Sequence, residues 1–236
     1  MSSDLVFQGG ETSAPLQLTV SPRARKMRLK VDPRTGAVQL TVPRRVSQRK
    51  ALEWAAGHRD WIESQLARIT PPEPLGPGAS VPLYGHPHPI DWSAERSRVV
   101  RLENGRILAG GPLQGLEARI LRWLKRHALD VLAAETAEYA ALAGVAVTRI
   151  GIGDPLTRWG SCSSSGAIRY SWRLILAPDH VRRATVAHEV AHRIHMHHGP
   201  AFHALVAQLY GADPKAARDW LRTHGATLHR IGRVEA

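Results

Sequence analysis

Apolar and polar residues alternate along the first part of the chain. Leu16, Leu18 and Val20 fall on one side of an extended segment, and Met27, Leu29 and Val31 do the same further on, interleaved with Lys26, Arg28 and Lys30. A period of two marks half-buried strands. Asp32-Pro33-Arg34-Thr35-Gly36 is a run of turn formers, after which Val38, Leu40 and Val42 resume the alternation. The pattern predicts a hairpin whose wet face carries the three cations.

From Ser47 to about Ile69 the period changes. Leu52, Ala55, Trp61, Ile62, Leu66 and Ile69 recur at helical spacing and predict one amphipathic helix. Pro71-Pro72-Glu73-Pro74-Leu75-Gly76-Pro77-Gly78 cannot continue it, because proline lacks the amide donor and fixes φ, so this stretch is the best linker in the chain. Short strands follow, with Asn104-Gly105 as a hairpin turn between Val99 to Leu102 and Ile107-Leu108. Leu116, Ile120, Trp123, Leu124, Val131, Leu132, Tyr139 and Leu142 mark a long helix over about 113–142, with Gly144 placed to end it. A strand is expected over 145–152 and another over 167–176, where Ile168, Tyr170, Trp172 and Leu174 alternate. Asp179 is placed to cap the next helix. Phe202, Leu205, Val206 and Leu209 mark a further helix, and Asp213-Pro214 opens a last one. The succession describes an α+β protein in three regions: a β-hairpin and helix over 1–70, a linker with short hairpins over 71–112, and a helix-rich region over 113–236.

Composition narrows the class. With 236 residues, 43% hydrophobic and 22% charged, the chain can bury a real core and is not disordered in bulk. Its most apolar helical stretch, Leu129 to Val147, is interrupted by Asp130, Glu135 and Glu138, whereas a membrane span needs about 20 nearly uncharged residues. Met1 to Ala14 lacks the basic start and apolar run of a secretory signal. The lone Cys162 cannot form an internal disulfide, which suits a reducing compartment, so a cytoplasmic protein is expected. Of the net charge of +12, much is local: residues 21–50 hold ten Lys/Arg against the single acid Asp32. Such a patch is either a solvated strand face or a binding site for nucleic acid over 23–50.

Histidine is just as uneven. Seven of the 13 lie between His180 and His203. His188-Glu189-Val190-Ala191-His192 has the H-E-x-x-H spacing, which on a helix projects two imidazoles from one face with a carboxylate beside them. From the chain's own His and Glu frequencies, chance supplies on the order of 0.03 such matches. A catalytic zinc site takes three protein ligands and leaves one position open. On an unbroken helix His195 would share the ligand face, but its Cα would lie about 7.5 Å along the axis from the first pair. His198 can fold back onto the same ion if the helix ends near His195 to His197, and Gly199-Pro200 favours such an end. This geometry selects His198 over His195, with His197 and His203 outside the ligand set. Neither the serine-hydrolase G-x-S-x-G nor the P-loop pattern occurs.

Several segments together resemble one family. Thr157-Arg158-Trp159-Gly160-Ser161-Cys162, Ser171-Trp172-Arg173-Leu174-Ile175-Leu176-Ala177-Pro178, the H-E-x-x-H and His198-Gly199-Pro200-Ala201-Phe202 look like the YgjP-like metal-dependent hydrolases, relatives of the SprT and WLM zincin-type metallopeptidases. The likeness covers roughly 15–230 and is most specific over 154–206. It implies a zincin-like catalytic domain behind a β-rich N-terminal region, one Zn²⁺ per chain on His188, His192 and His198, and Glu189 as the base. Arg158 is expected to steady oxyanion charge, and Arg158, Trp159, Ser161, Tyr170 and His203 to meet substrate. Departures are mild: Val190 stands where the family usually has Leu, His203 where it has Trp, and His197 where it has Asn.

Two enzymatic readings and one non-enzymatic reading stay open at this point. A metallopeptidase would use metal-activated water on a peptide or protein substrate, which could add as a strand beside 167–176. A nucleotide-phosphate hydrolase would pair Arg158, Arg169 and Arg173 with phosphates. A nucleic-acid-associated module would hold its metal for structure alone. The peptidase is favoured, since triphosphate cleavage usually recruits Mg²⁺ through carboxylates and no acidic cluster lies near 188–198. Cys162 is expected either as a small buried residue or as a thiol near the metal.

Overall fold

In a computed structural model, residues 5–8, 13–32, 35–67 and 73–232 are described. Pro33 and Arg34 of the first hairpin loop, Ile69, and Pro71-Pro72 of the linker lie outside them. The chain divides into two compact units, with the boundary between Pro72 and Glu73.

The N-terminal unit is a four-stranded sheet with two helices. Its strands are β1 (Leu5–Gln8), β2 (Ser13–Ser21), β3 (Arg28–Val31) and β4 (Val38–Pro43), in the order β1-β2-β4-β3. The β3-β4 hairpin forms as expected, with Leu29 opposite Leu40. The alternation did not reveal β1, nor that β2 runs parallel to β4, because pairing partners are set by packing and not by the period of one strand. The core is Phe7, Leu16, Val38, Leu40, Val42, Ala51, Ala55 and Ile62. The single helix expected from Ser47 to Ile69 is two, α1 (Gln48–Ala56) and α2 (Arg59–Ala67). The cause is local. The His58 amide turns to the Ala55 carbonyl at 3.0 Å, while its ring Nδ1 takes the Trp54 carbonyl at 2.8 Å that a continuous helix would have used.

The C-terminal unit carries β5 (Ser80–Leu83), β6 (His86–Ser93), β7 (Arg101–Glu103), β8 (Arg106–Gly110), α3 (Leu116–Ala143), β9 (Arg149–Gly153), β10 (Gly160–Cys162), β11 (Ala167–Ser171), α4 (Asp179–Ala191), α5 (Pro200–Tyr210) and α6 (Lys215–Leu228). Strands β5 to β8, expected in a region of their own, share one core with the helices: Val81, Leu83 and Ile107 pack in the same cluster as Leu124 and Leu132 of α3 and Val186 of α4. Asn104 and Gly105 turn β7 into β8 with both φ values positive, at 48° and 71°. Gly144 ends α3 in the left-handed conformation, as its position suggested.

A second sheet has the order β10-β11-β9. The strand expected over 167–176 stops at Ser171, and Trp172–Leu176 forms a 3₁₀ turn. Alternation fails there because all five side chains are buried. Arg173 is held inward by Asp154, at 2.6 and 3.0 Å, and by the carbonyls of Leu228 and Ile231 at 2.6 and 2.8 Å. Asp179 does not cap α4. Pro178 occupies the cap position, and the Asp179 carboxylate accepts instead from Arg182 at 2.8 Å. Arg182 is also gripped by Glu135 of α3, at 2.8 to 3.1 Å, in a buried ion pair that ties α4 to the long helix.

Candidate metal centre

Helix α4 stops where the site needs it to stop. Its last helical residue is Ala191, and His192 is the C-cap. The amides of Ile194 and His195 both fold back to the Ala191 carbonyl at 3.0 Å, so the chain turns one residue after the second histidine, earlier than the sequence suggested. His198 then returns to the helix. Donor nitrogens of His188, His192 and His198 lie within 4.8 Å of one another, with Nε2 of His188 and His198 3.2 Å apart. His195 contributes its backbone and not its ring. His192 Nδ1 lies 3.1 Å from the His195 carbonyl, which holds the proton on Nδ1 and leaves Nε2 bare.

Phe202 is the floor of the cluster. It is fully buried on α5, with its ring 4.9, 4.5 and 4.7 Å from those of His188, His192 and His198. Gly199 and Pro200 start that helix directly after the third histidine. The apolar floor also sets charge. Burial, reinforced by the neighbouring imidazoles, pulls His188 down to about 4, so the ring is neutral and its lone pair free. Burial lowers His192 as well. Three imidazoles around one point suit a Zn²⁺ ion far better than Mg²⁺.

Glu189 sits beside them, 5% exposed, with Oε2 unpartnered. Burial pushes its carboxyl up to about 7, against the pull of Arg158. An orphaned carboxylate oxygen in such a place is costly unless a ligand or water meets it. Gly160 of β10 makes room for it, because a Cβ there would overlap the Glu189 carboxyl. No spacing or pattern singled out Gly160 within the Trp159-Gly160-Ser161 run. Phe202 was legible only as a helix-core marker.

The other expected residues scatter. Arg158 and Trp159 line a cavity of about 250 Å³ together with His188 and Glu189. Trp159 is also braced, its ring 5.3 Å from that of His229 and closing over Gly225. Ser161 lines a second cavity, with Arg149 and Arg169, since its neighbour Gly160 is the one that meets Glu189 and successive strand residues face opposite ways. Tyr170 is a correction. It is fully buried, and its hydroxyl meets Thr136 Oγ1 at 3.0 Å, so it supports the sheet and is out of reach of substrate. His203 is exposed, its ring 6.3 Å from that of His198, and is not in the ligand cluster. Cys162 is half-buried and also outside that cluster. Arg173 is spent on Asp154 and two carbonyls and offers nothing to a phosphate. Strand β11 has neighbours on both sides, so a peptide cannot add to it; among the described residues β10 pairs with β11 alone.

Three clustered imidazoles with a buried carboxyl beside them are a donor set that could hold a metal ion. The family model of the YgjP-like metallopeptidase domain matches residues 25–224, and the chain belongs to that family. No curated protein and no solved structure gives a significant match. No helix among the described residues is long and apolar enough to cross a membrane.

Proposed function

We propose that the chain is a zinc-dependent peptidase of the zincin type, with His188, His192 and His198 as ligands and Glu189 as general base. The observation that carries this reading is the unpartnered, buried Glu189 carboxyl next to the three clustered imidazoles. When bound, zinc would acidify a water toward neutrality and polarise the carbonyl under attack. Glu189 takes the proton of that water on its free oxygen and passes it to the leaving amine, a task for which a carboxyl near 7 is well matched. Gly160 keeps the carboxyl in line, and the peptide aligns along the open side of β10 next to it. Arg158, exposed at the rim of the cavity, steadies the negative oxygen that develops. The one unpaired cysteine supports a cytoplasmic setting.

The nucleotide reading is less well supported. Arg173 is already paired, and the 250 Å³ cavity falls below the usual range for small-molecule sites of about 300–1,000 Å³. The test is one zinc-loaded preparation challenged with a diverse peptide library and with the common nucleoside triphosphates, with Glu189→Gln as the blank. Peptide cleavage that falls by on the order of 10²- to 10⁴-fold in the variant is expected. Glutamate-dependent phosphate or pyrophosphate release without any peptide cleavage would replace the peptidase by a nucleotide hydrolase.

A binding role is carried separately by the N-terminal unit. Arg23, Arg25, Lys26 and Arg28 line a cleft of about 510 Å³ that no acidic residue lines, which suits a polyanion such as nucleic acid.

A further inference from the structure

The cavity beside the catalytic pair has walls that the chemistry of hydrolysis does not require. From His188 and Glu189 it runs one turn back along α4 to Ala184 and across to α5 and α6, where Val206, Pro214, Ala217 and Leu221 close it. This far part is almost wholly apolar. At about 250 Å³ the whole cavity holds one large side chain beside the scissile bond and leaves no room for a second. Two guanidinium groups stand at the same cavity from different elements, Arg158 from the segment before β10 and Arg218 from α6. Both are exposed, and neither has a side-chain hydrogen bond or an ion pair among the described residues.

Four other arginines of this unit, Arg173, Arg182, Arg183 and Arg230, each have a carboxylate partner. No acidic residue other than Glu189 lines the cavity. A carboxylate brought there by a ligand would meet two free forks, the geometry in which Arg recognises carboxylates best.

Resting on the peptidase reading above, we infer that the substrate places a large apolar side chain, of the size of Leu, Met or Phe, in this cavity, and that a carboxylate within two residues of it is held by Arg158 and Arg218. The carboxylate is either the side chain of an Asp or Glu or the C-terminus of the peptide.

The experiment uses the zinc-loaded full chain and two random decapeptide libraries, one with free and one with amidated C-termini, with cleavage sites read by mass spectrometry. Cleavage should favour Leu, Met or Phe on one side of the broken bond. Loss of the preference in the amidated library assigns the carboxylate to the terminus, and retention assigns it to an acidic side chain. Exchanging Arg218 for Gln should reduce kcat/KM for acidic peptides up to about fivefold, the worth of one exposed ion pair, while neutral peptides change little. Arg218→Glu, a change at an exposed position that the fold should tolerate, should turn the preference toward Lys and Arg. Ala217→Phe should shift the apolar preference to smaller side chains. Cleavage of many peptides with no acidic or apolar preference, or the same preferences in every variant, would overturn this inference and leave the peptidase reading intact. Cleavage of no peptide at all would remove both.

Discussion

The cavity beside His188 and the cleft between β2 and β3 differ in every respect that matters for chemistry. The first is about 250 Å³, has apolar walls, and holds a carboxyl with one oxygen unpartnered; the second is about 510 Å³ and is lined by four cations that stay in water. Burial is what separates them. In the first, it moves Glu189 up to about 7 and His188 down to about 4, into the protonation states that a base and a metal ligand require. In the second, the cations stay exposed, so the cleft can attract charge but has nothing with which to break a bond.

The comparison predicts a ranking of mutational effects. The largest belongs to Arg173, one of two buried arginines of the C-terminal unit. Arg173→Met leaves the Asp154 carboxylate and the Leu228 and Ile231 carbonyls without their donor and should cost about 3–5 kcal/mol in denaturant unfolding, whereas Arg28→Met on the exposed sheet face should stay within about 0.5 kcal/mol. Equal costs would mean that burial does not distinguish the two regions.

Next comes Glu189 in metal-free protein. Below pH 4.5 its carboxyl is protonated in both folded and unfolded chains; as pH rises to about 7 the unfolded chain ionises first, so folding stability is lost through that window. The loss should reach about 3 kcal/mol, and Glu189→Gln should remove it, which unfolding at about pH 4 and pH 8 would show. A variant with the same pH dependence as the parent would contradict a buried, raised carboxyl.

The smallest effect concerns the basic cleft. Exchanging Arg25, Lys26 and Arg28 for Gln should lower the slope of log K against log salt by about 2 for a single-stranded oligonucleotide, with hydrolysis unaffected. An unchanged slope would return the cleft to a solvated surface.

What could be read in the sequence followed from local rules. The β3-β4 hairpin, the Asn104-Gly105 turn, the span of α3 with its Gly144 cap, and the three histidines all depend on spacing or on one residue's conformational preference. What could not be read depended on partners distant in sequence. Arg173 turns inward because Asp154 and the carbonyls of Leu228 and Ile231 await it, and that ended the strand at Ser171. Asp179 looked like a cap, but Arg182, itself drawn in by Glu135, claimed its carboxylate. Tyr170 and Ser161 sit in a run that resembles a site, yet the pleat and the hydroxyl of Thr136 direct them elsewhere. His198 was reachable because Gly199-Pro200 marks a helix start, although the turn that delivers it is set by the Ala191 carbonyl.

The central claim is that His188, His192 and His198 hold one zinc ion between them. Metal content measured on protein purified without added metal, for the parent and for His188→Ala, His192→Ala, His198→Ala, His195→Ala and His203→Ala, tests it directly. One zinc per chain is expected in the parent, in His195→Ala and in His203→Ala, with loss in the other three. A parent free of metal yet fully active, or loss of zinc on His195→Ala with retention on His198→Ala, would contradict it.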